Sequence, residues 1–254
     1  MSDPTSGIRA RQAASFGSRA GAYAEHRPDY SGEAIEWGLA GADGTPRRVL
    51  DLAAGTGKVT TSLVELGLDV TAVEPDPEML AELSRLLPSV TALEGRAEQI
   101  PLPDASVDAV FVGQAFHWFD VEPAMTEMAR VLRPGGVFVP MWNYEDDSVP
   151  WVAEFTESAR MGGGRRPDTD GDGQPATHPA FAPFEGGRFR HAHRRTADSL
   201  VETLQTYSRV IVSDPAETAP LVAQVRHFLE TNPATASGEF DLPLITWTFR
   251  SRRR

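Results

Sequence analysis

The chain has 254 residues, 41% of them hydrophobic, and a formal net charge of −12, so it can form a globular protein with a sizeable core. It contains no cysteine, which excludes disulfides, thiolate nucleophiles and cysteine-based metal sites. Because the acidic charge opposes phosphate backbones, and no apolar run reaches membrane-spanning length or resembles a secretory signal, we expect a cytoplasmic protein without nucleic-acid or membrane partners.

From residue 48 onward, short apolar runs alternate with helical patterns. Asp76 is placed as the N-cap of one helix, with Pro77 at its first position. Such alternation predicts βαβ units and a parallel sheet. The predicted strands are Arg48–Leu52, Asp69–Val73, Val90–Leu93, Val107–Val112 and Val137–Trp142, separated by helices over Val59–Leu66, after Pro77 and around Met125–Leu132.

The pattern loosens after residue 143. Met161–Ala180 is rich in Gly, Pro and Asp and predicts a loop. Phe189–His193 predicts a strand, and the alternation of Ile245, Trp247 and Phe249 predicts a last one. Two amphipathic helices are expected between these strands, with apolar faces formed by Leu200, Leu204 and Tyr207, and by Leu221, Val225 and Phe228.

A glycine-containing loop follows the first strand. The chain runs from Val49–Leu52 into a loop with Gly55 and Gly57, and a helix follows. Glycines here let a ligand approach the backbone where a Cβ would collide. The N–H groups of the helix N-terminus would then face that ligand.

Glu74 ends the second strand, where a carboxylate can accept hydrogen bonds from both hydroxyls of a ribose. An acid that only complements the dipole of the next helix is the alternative. Together with the loop, Glu74 favours a nucleotide-type site. A P-loop is excluded, because Leu52 and Val59 stand where its first glycine and its Ser/Thr belong. A nicotinamide fold is disfavoured, because Thr60 stands where its third glycine belongs.

The third candidate fold fits best: over residues 47–143 the sequence resembles the class I S-adenosylmethionine (SAM)-dependent methyltransferases. Asp51-x-Ala53-x-Gly55-x-Gly57 resembles their motif I. Val70–Leu80 resembles their second strand and acidic ribose clamp, Gly95–Asp108 their adenine-side loop, and Arg130–Gly136 the turn before their fifth strand. Phe16–Tyr23 and Gln114–Phe119 resemble the small-molecule branch that includes trans-aconitate methyltransferase-like proteins.

The resemblance implies an α/β, Rossmann-like methyltransferase fold with a helical cap. Its sheet would have seven strands, mostly parallel, with the last strand antiparallel. One domain would cover residues 1–254, with lid helices in 1–45, the SAM-binding core in 46–143, and an acceptor cap with the last strands in 144–254. SAM would be the cofactor, and a small molecule would be methylated at O, N or C.

The same resemblance implies roles for single residues. The motif I loop would surround the methionine part of SAM, Glu74 would hold the ribose, and Gln114 would lie under the sulfonium. The sequence departs from the family at Ala53, usually glycine, and at Arg96, often an acid. The implied cofactor-binding residues are Tyr23, Arg27, Asp51, Ala53, Gly55, Thr56, Gly57, Glu74, Pro75, Met79, Arg96, Ala97, Glu98, Gln114 and Ala115.

His117 is the candidate general base, which is needed only if the acceptor is protonated. The alternative is a structural histidine that packs with Trp118 and hydrogen-bonds a backbone carbonyl. The implied acceptor pocket contains Tyr30, His117, Trp118 and Trp142, and Phe119 and Trp151 are further candidates for its walls; core packing is the alternative for these aromatic residues.

No metal site is predicted. Asp168–Gly173 imitates an EF-hand loop, but Pro179 stands where the bidentate glutamate belongs. His191 and His193 have no third ligand nearby in the sequence.

Two other functions remain open at this point: a SAM-binding protein that does not methylate, such as a cyclase or ligand-binding module, and a nicotinamide oxidoreductase. Formation of S-adenosylhomocysteine (SAH) tests the first, and NAD(P) binding tests the second.

Overall fold

A computed structural model describes residues 27–159, 175–205 and 215–254. The predictions for Phe16–Tyr23, Asp168–Gly173 and Tyr207 lie outside these residues. The helices in the described part are α1 (Gly32–Leu39), α2 (Lys58–Glu65), α3 (Pro77–Leu86), α4 (Val121–Val131), α5 (Pro150–Ser158), α6 (Ala197–Gln205) and α7 (Pro215–Thr231). The strands are β1 (Arg48–Leu52), β2 (Asp69–Glu74), β3 (Thr91–Glu94), β4 (Val107–Gly113), β5 (Leu132–Glu145), β6 (Glu185–Thr196) and β7 (Glu239–Arg252).

The strands form one seven-stranded sheet in the order β3-β2-β1-β4-β5-β7-β6. β1 pairs in parallel with β2 and β4, β2 with β3, and β4 with β5. The N–H of Arg253 donates to the carbonyl of Gly136, and the N–H of Asp146 donates to the carbonyl of Pro243. The pairing therefore runs in opposite directions along β5 and β7, which confirms a mostly parallel sheet with an antiparallel last strand.

The fifth strand begins earlier than predicted. β5 starts at Leu132 rather than Val137, so the expected turn at Gly135 lies inside an extended segment. Val107 of β4 pairs with Leu132, yet Ala109 pairs with Val137. Gly135 lies in the part of β5 where this register shift occurs. Its φ of +76° is a backbone conformation that a residue with a Cβ adopts only with strain.

Of the three large side chains that alternate along β7, Phe249 is buried, but Ile245 and Trp247 are not. Thr246 and Thr248 are completely buried, whereas Ile245 and Trp247 are half-buried. The guanidinium of Arg188 covers the Trp247 ring, 4.1 Å from its centroid. The alternation thus locates the strand but not its buried face.

The chain divides into two compact units. In the described ranges, the core unit comprises residues 29–143, 175–189 and 246–254, and the helical unit comprises 27–28, 144–159, 190–205 and 215–245. The core unit buries residues such as Val49, Phe111 and Val139 between α1, α2 and the sheet. The helical unit has its own cluster, which includes Phe155, Leu200, Val225 and Leu229. No helix within the described ranges has the length and apolar character to cross a membrane.

Candidate functional site

The candidate site lies in the core unit, where the carboxyl ends of β1, β2 and β4 meet. Asp51 is in register with Phe111 of β4, and Leu52 with Val73 of β2. The strand order reverses on the two sides of β1, and such switch points are where open parallel sheets bind ligands. The topology therefore brings the predicted loop and Glu74 to one edge.

The two glycines of the loop have different environments. Among the residues that the structure describes, a Cβ on Gly55 (φ +57°) would have only the Met79 sulfur within 4 Å, at 3.8 Å. A Cβ on Gly57 (φ +92°) would lie 3.0 Å from Leu87 and 3.2 Å from Leu83. Gly55 therefore leaves room for a ligand, whereas Gly57 permits close packing between the start of α2 and α3.

Ala53 takes the same backbone conformation as the glycines, with φ +56°. The left-handed region costs a residue with a Cβ about 1–2 kcal/mol relative to its preferred regions. At Ala53, where the family usually has glycine, this chain therefore carries backbone strain.

Asp51 at the end of β1 is 1% exposed. Its Oδ2 accepts a hydrogen bond from the hydroxyl of Thr60 at 2.5 Å, and its Oδ1 has no partner within the described structure. Burial raises the pKa of this carboxyl to about 7, and the nearby charge of Glu74 acts in the same direction. The hydroxyl of Thr56 is also buried without a partner among those residues. Unpaired buried oxygens of this kind fit a ligand that donates hydrogen bonds.

Glu74 at the end of β2 is 5% exposed and binds the backbone of the site itself. Its Oε2 accepts from the N–H of Gly55 at 2.8 Å, and its Oε1 accepts from the N–H of Asp76 at 2.9 Å. Burial raises the pKa of Glu74, while these two N–H groups oppose the shift. Each carboxylate oxygen retains acceptor capacity, so a ribose hydroxyl can still bind.

The helix after β2 begins as predicted. The Oδ1 of Asp76 accepts from the N–H groups of Glu78 and Met79, at 2.9 and 3.1 Å, and Pro77 occupies the first turn. This cap positions Met79, which is buried with its sulfur near Gly55. Pro75 is exposed at the same edge.

The predicted adenine-side residues Arg96, Ala97 and Glu98 lie in the loop after β3. Ala97 is buried, while the Arg96 side chain is 77% exposed and lies 3.7 Å from Glu98 (Nε to Oε2). Glu98 accepts from the N–H of Asp120 at 3.0 Å. In this structure Glu98 therefore links its loop to the start of α4.

Gln114 follows β4 with φ +56°, and Ala115 follows it half-buried. The side-chain amide of Gln114 donates to the carbonyl of Asn143 at 2.9 Å. The side chain of Asn143 in turn donates to the carbonyl of Asp29 at 3.0 Å and accepts from the Thr246 hydroxyl at 2.6 Å. Asn143 therefore joins three segments at the site edge, and sequence reasoning missed it. The available signal was a polar residue directly after the predicted apolar strand Val137–Trp142.

The segment before α1 crosses the end of β4. The Tyr30 hydroxyl lies so near Gly113 that a Cβ there would come within 2.7 Å of it. The Lys58 ammonium, at the start of α2, pairs with Asp29 at 3.0 Å. Tyr30 is therefore placed at the predicted edge. Arg27 is half-buried and belongs to the helical unit, and Tyr23 lies outside the described residues.

His117 lies in a short 3₁₀ turn with Trp118 and is exposed. Its ring centroid is 4.8 Å from that of Trp118, and the indole N–H of the buried Trp142 donates to its Nδ1 at 3.5 Å. The structure thus brings together His117, Trp118 and Trp142, whereas Trp151 packs on Phe240 in the helical unit. The Trp142 indole is thus one partner of the His117 ring. Its role as a base stays a prediction.

In the part of the chain that the structure describes, no cluster of three or more His, Asp or Glu side chains could hold a metal ion. The site's polar atoms are instead the carboxylates and backbone groups around the loop.

Comparisons with known proteins agree on one family. The family profile described as a methyltransferase domain matches residues 50–139. An uncharacterized methyltransferase of Mycobacterium tuberculosis (H37Rv) is 44% identical over 93% of this chain and 95% of its own length. One from Schizosaccharomyces pombe is 30% identical over 91% of this chain and 94% of its own. A solved structure of a candidate type II methyltransferase from Anaeromyxobacter dehalogenans aligns with a TM-score of 0.67 and 27% identity, covering 89% of this chain and 97% of that one.

Proposed function

This chain belongs to the class I SAM-dependent methyltransferases. From that premise we propose that it binds SAM at the sheet edge where Asp51 and Glu74 lie, and that it methylates a small molecule. The observation that carries the proposal is the buried Asp51 carboxylate, whose Oδ1 has no partner within the described residues. Asp51 lies in β1 just before the loop of Gly55, where a Cβ would meet only the Met79 sulfur among the described residues. A cationic, hydrogen-bond-donating ligand matches both features.

The residues present fit the cofactor that the family implies. When bound, SAM supplies a methyl group already activated by its sulfonium. Asp51 would accept a hydrogen bond from the ammonium group, and the remaining lone pairs of Glu74 would accept those of the ribose hydroxyls. Met79 and Ala97 offer buried apolar surface for a base. Because the protein's contribution to such a transfer is mainly alignment, a preorganised loop is the principal requirement.

The small-molecule acceptor is supported by charge and by the side chains near Gln114. A net charge of −12 opposes a nucleic-acid substrate. Tyr30, His117 and Trp118 place aromatic rings near the end of β4, and the buried Trp142 of β5 contacts His117. If His117 takes a proton at Nδ1, the hydrogen bond that this nitrogen accepts from the Trp142 N–H must break. The proposed base role of His117 therefore involves Trp142 as well. The trans-aconitate-like subtype and a cytoplasmic location stay predictions.

Calorimetric titration of the full chain with SAH, with NADH as the control ligand, tests the proposal. We expect micromolar SAH binding and no heat from NADH. Acceptors can then be screened by SAH release from SAM. Absence of SAH binding would contradict the cofactor assignment. Binding without turnover on any acceptor would favour a SAM-binding protein that does not methylate.

A further inference from the structure

We propose that Thr60 is a positioning residue for the cofactor: its hydroxyl holds one oxygen of Asp51 so that the other stays available to the ammonium group of SAM. The inference rests on the proposed function and deepens it, because it states how the same site takes the amino-acid end of the ligand. Asp51 itself would be the contact residue, and Thr60 would act through it.

Both side chains are enclosed by the core unit. Thr60 is fully buried in the first turn of α2, and Asp51 is 1% exposed near the end of β1. The distance of 2.5 Å between the Thr60 hydroxyl and Oδ2 is that of a short, charge-assisted hydrogen bond. The bond therefore ties the strand before the glycine loop to the helix after it.

This bond determines which oxygen is left over. A carboxylate group can rotate about its last bond, so two equivalent oxygens would otherwise exchange places. With Oδ2 held by Thr60, Oδ1 stays buried and has no partner within the described ranges. A buried acceptor without a donor destabilises the protein. An ammonium group satisfies both the hydrogen bond and the charge of this oxygen, which a neutral donor would do only in part.

The surrounding charges make the hydroxyl necessary. Burial and the carboxylate of Glu74 favour the protonated form of Asp51, whereas the hydroxyl and the backbone N–H of Thr60 favour the charged form. The negative charge of Glu74 thus opposes ionisation of Asp51. Loss of the hydroxyl would leave the backbone N–H to oppose both effects, and an ammonium ligand would meet a protonated carboxyl more often.

The test compares Thr60→Val, which keeps the shape and removes the hydroxyl, with Thr60→Ser, which restores it. Each variant is titrated at pH 7 with SAH and with 5′-methylthioadenosine, which has the nucleoside and thioether but no ammonium group. We expect Thr60→Val to weaken SAH binding about tenfold, as loss of one charge-assisted hydrogen bond does, and to change methylthioadenosine binding less than about twofold. Thr60→Ser should stay within about threefold of the wild type for both ligands.

Thr126→Val is the matched control, because Thr126 is an exposed helical threonine whose hydroxyl bonds the Glu122 carbonyl of its own helix and the His178 ring, and neither partner is a residue of the candidate site. Thr60→Ala gives the same comparison if the valine variant does not fold. Unchanged SAH affinity, or equal weakening of both ligands, would overturn the positioning role. A wild type that binds methylthioadenosine but not SAH would also overturn it. A wild type that binds neither would overturn the proposed function, and this inference with it.

Discussion

The carboxylate of Glu74 accepts a hydrogen bond from the backbone N–H of Gly55 across 2.8 Å, which joins the end of β2 to the loop after β1. Gly55 has positive φ, which is one of several conformations open to a glycine, so the bond selects one of them. Glu74 thus shapes the loop before any ligand arrives, and such preorganisation lowers the entropic cost of binding.

We expect Glu74→Gln to weaken SAH binding by about 1–3 kcal/mol, the cost of a lost hydrogen bond to a charged group. Glutamine offers one oxygen where the carboxylate serves two N–H groups, so one of them would face an amide NH₂. Calorimetry measures the affinity. Glu78→Gln, at an exposed position in the first turn of α3, is the control. Wild-type affinity in the Glu74 variant would contradict its place in the site.

SAH affinity should rise with pH around neutrality. Asp51 has a pKa of about 7 in the folded chain, and only its ionised form pairs well with an ammonium group. Between pH 6 and pH 8 we expect about a tenfold gain in affinity. Asp51→Asn should bind SAH weakly and lose this dependence, as titrations at several pH values would show. A flat profile in the wild type would rule out Asp51 as the contact.

The same group makes the opposite contribution to the stability of the ligand-free protein. The folded-state pKa of Asp51 is raised from an ordinary 3.8 to about 7, so between these values the folded state binds more protons than the unfolded one. Stability from this group therefore falls as pH rises through that window. In urea unfolding, Asp51→Asn should gain most over the wild type at pH 8 and lose that advantage towards pH 5. An advantage that does not depend on pH would contradict the assignment.

Ala53→Gly should raise the free energy of unfolding by up to about 1 kcal/mol. It removes the strain of a left-handed alanine, although the greater freedom of glycine in the unfolded chain offsets part of the gain. Ala105→Gly is a matched control, because Ala105 also has positive φ (+48°) and precedes β4. Both variants should be stabilised, and neither should change SAH affinity by more than about threefold. Destabilisation at Ala53 alone would mean that its methyl group makes a packing contact.

His117→Ala should reduce turnover by at least about tenfold, the lower range for loss of a general base, and leave SAH binding intact. The side chain is exposed and contacts Trp118 and Trp142, so its loss should cost little stability. Trp142→Phe, which keeps an aromatic ring but removes the N–H, separates the hydrogen bond from the packing. Full activity in His117→Ala would assign the histidine a structural role.

Local signals were sufficient where a single turn or strand decides the conformation. The limits of β1 agree with the prediction, and the Asp76 cap forms because its oxygen meets N–H groups only two and three residues away. The partners of Glu74 were not predictable, since they depend on where a loop from another strand lies. Neither was Asn143, whose contacts come from residues far along the chain. The buried threonines of β7 show the same limit, because neighbouring strands decide which face is covered.

Lys58, which forms the ion pair with Asp29, is the only lysine in the sequence. This has a practical consequence for labelling. Amine-reactive reagents can therefore modify one side chain, at the start of α2, besides the N-terminus. The chain also contains no cysteine to compete for such reagents. A fluorophore coupled to Lys58 would report on the loop next to it from a single known position, without an engineered attachment point.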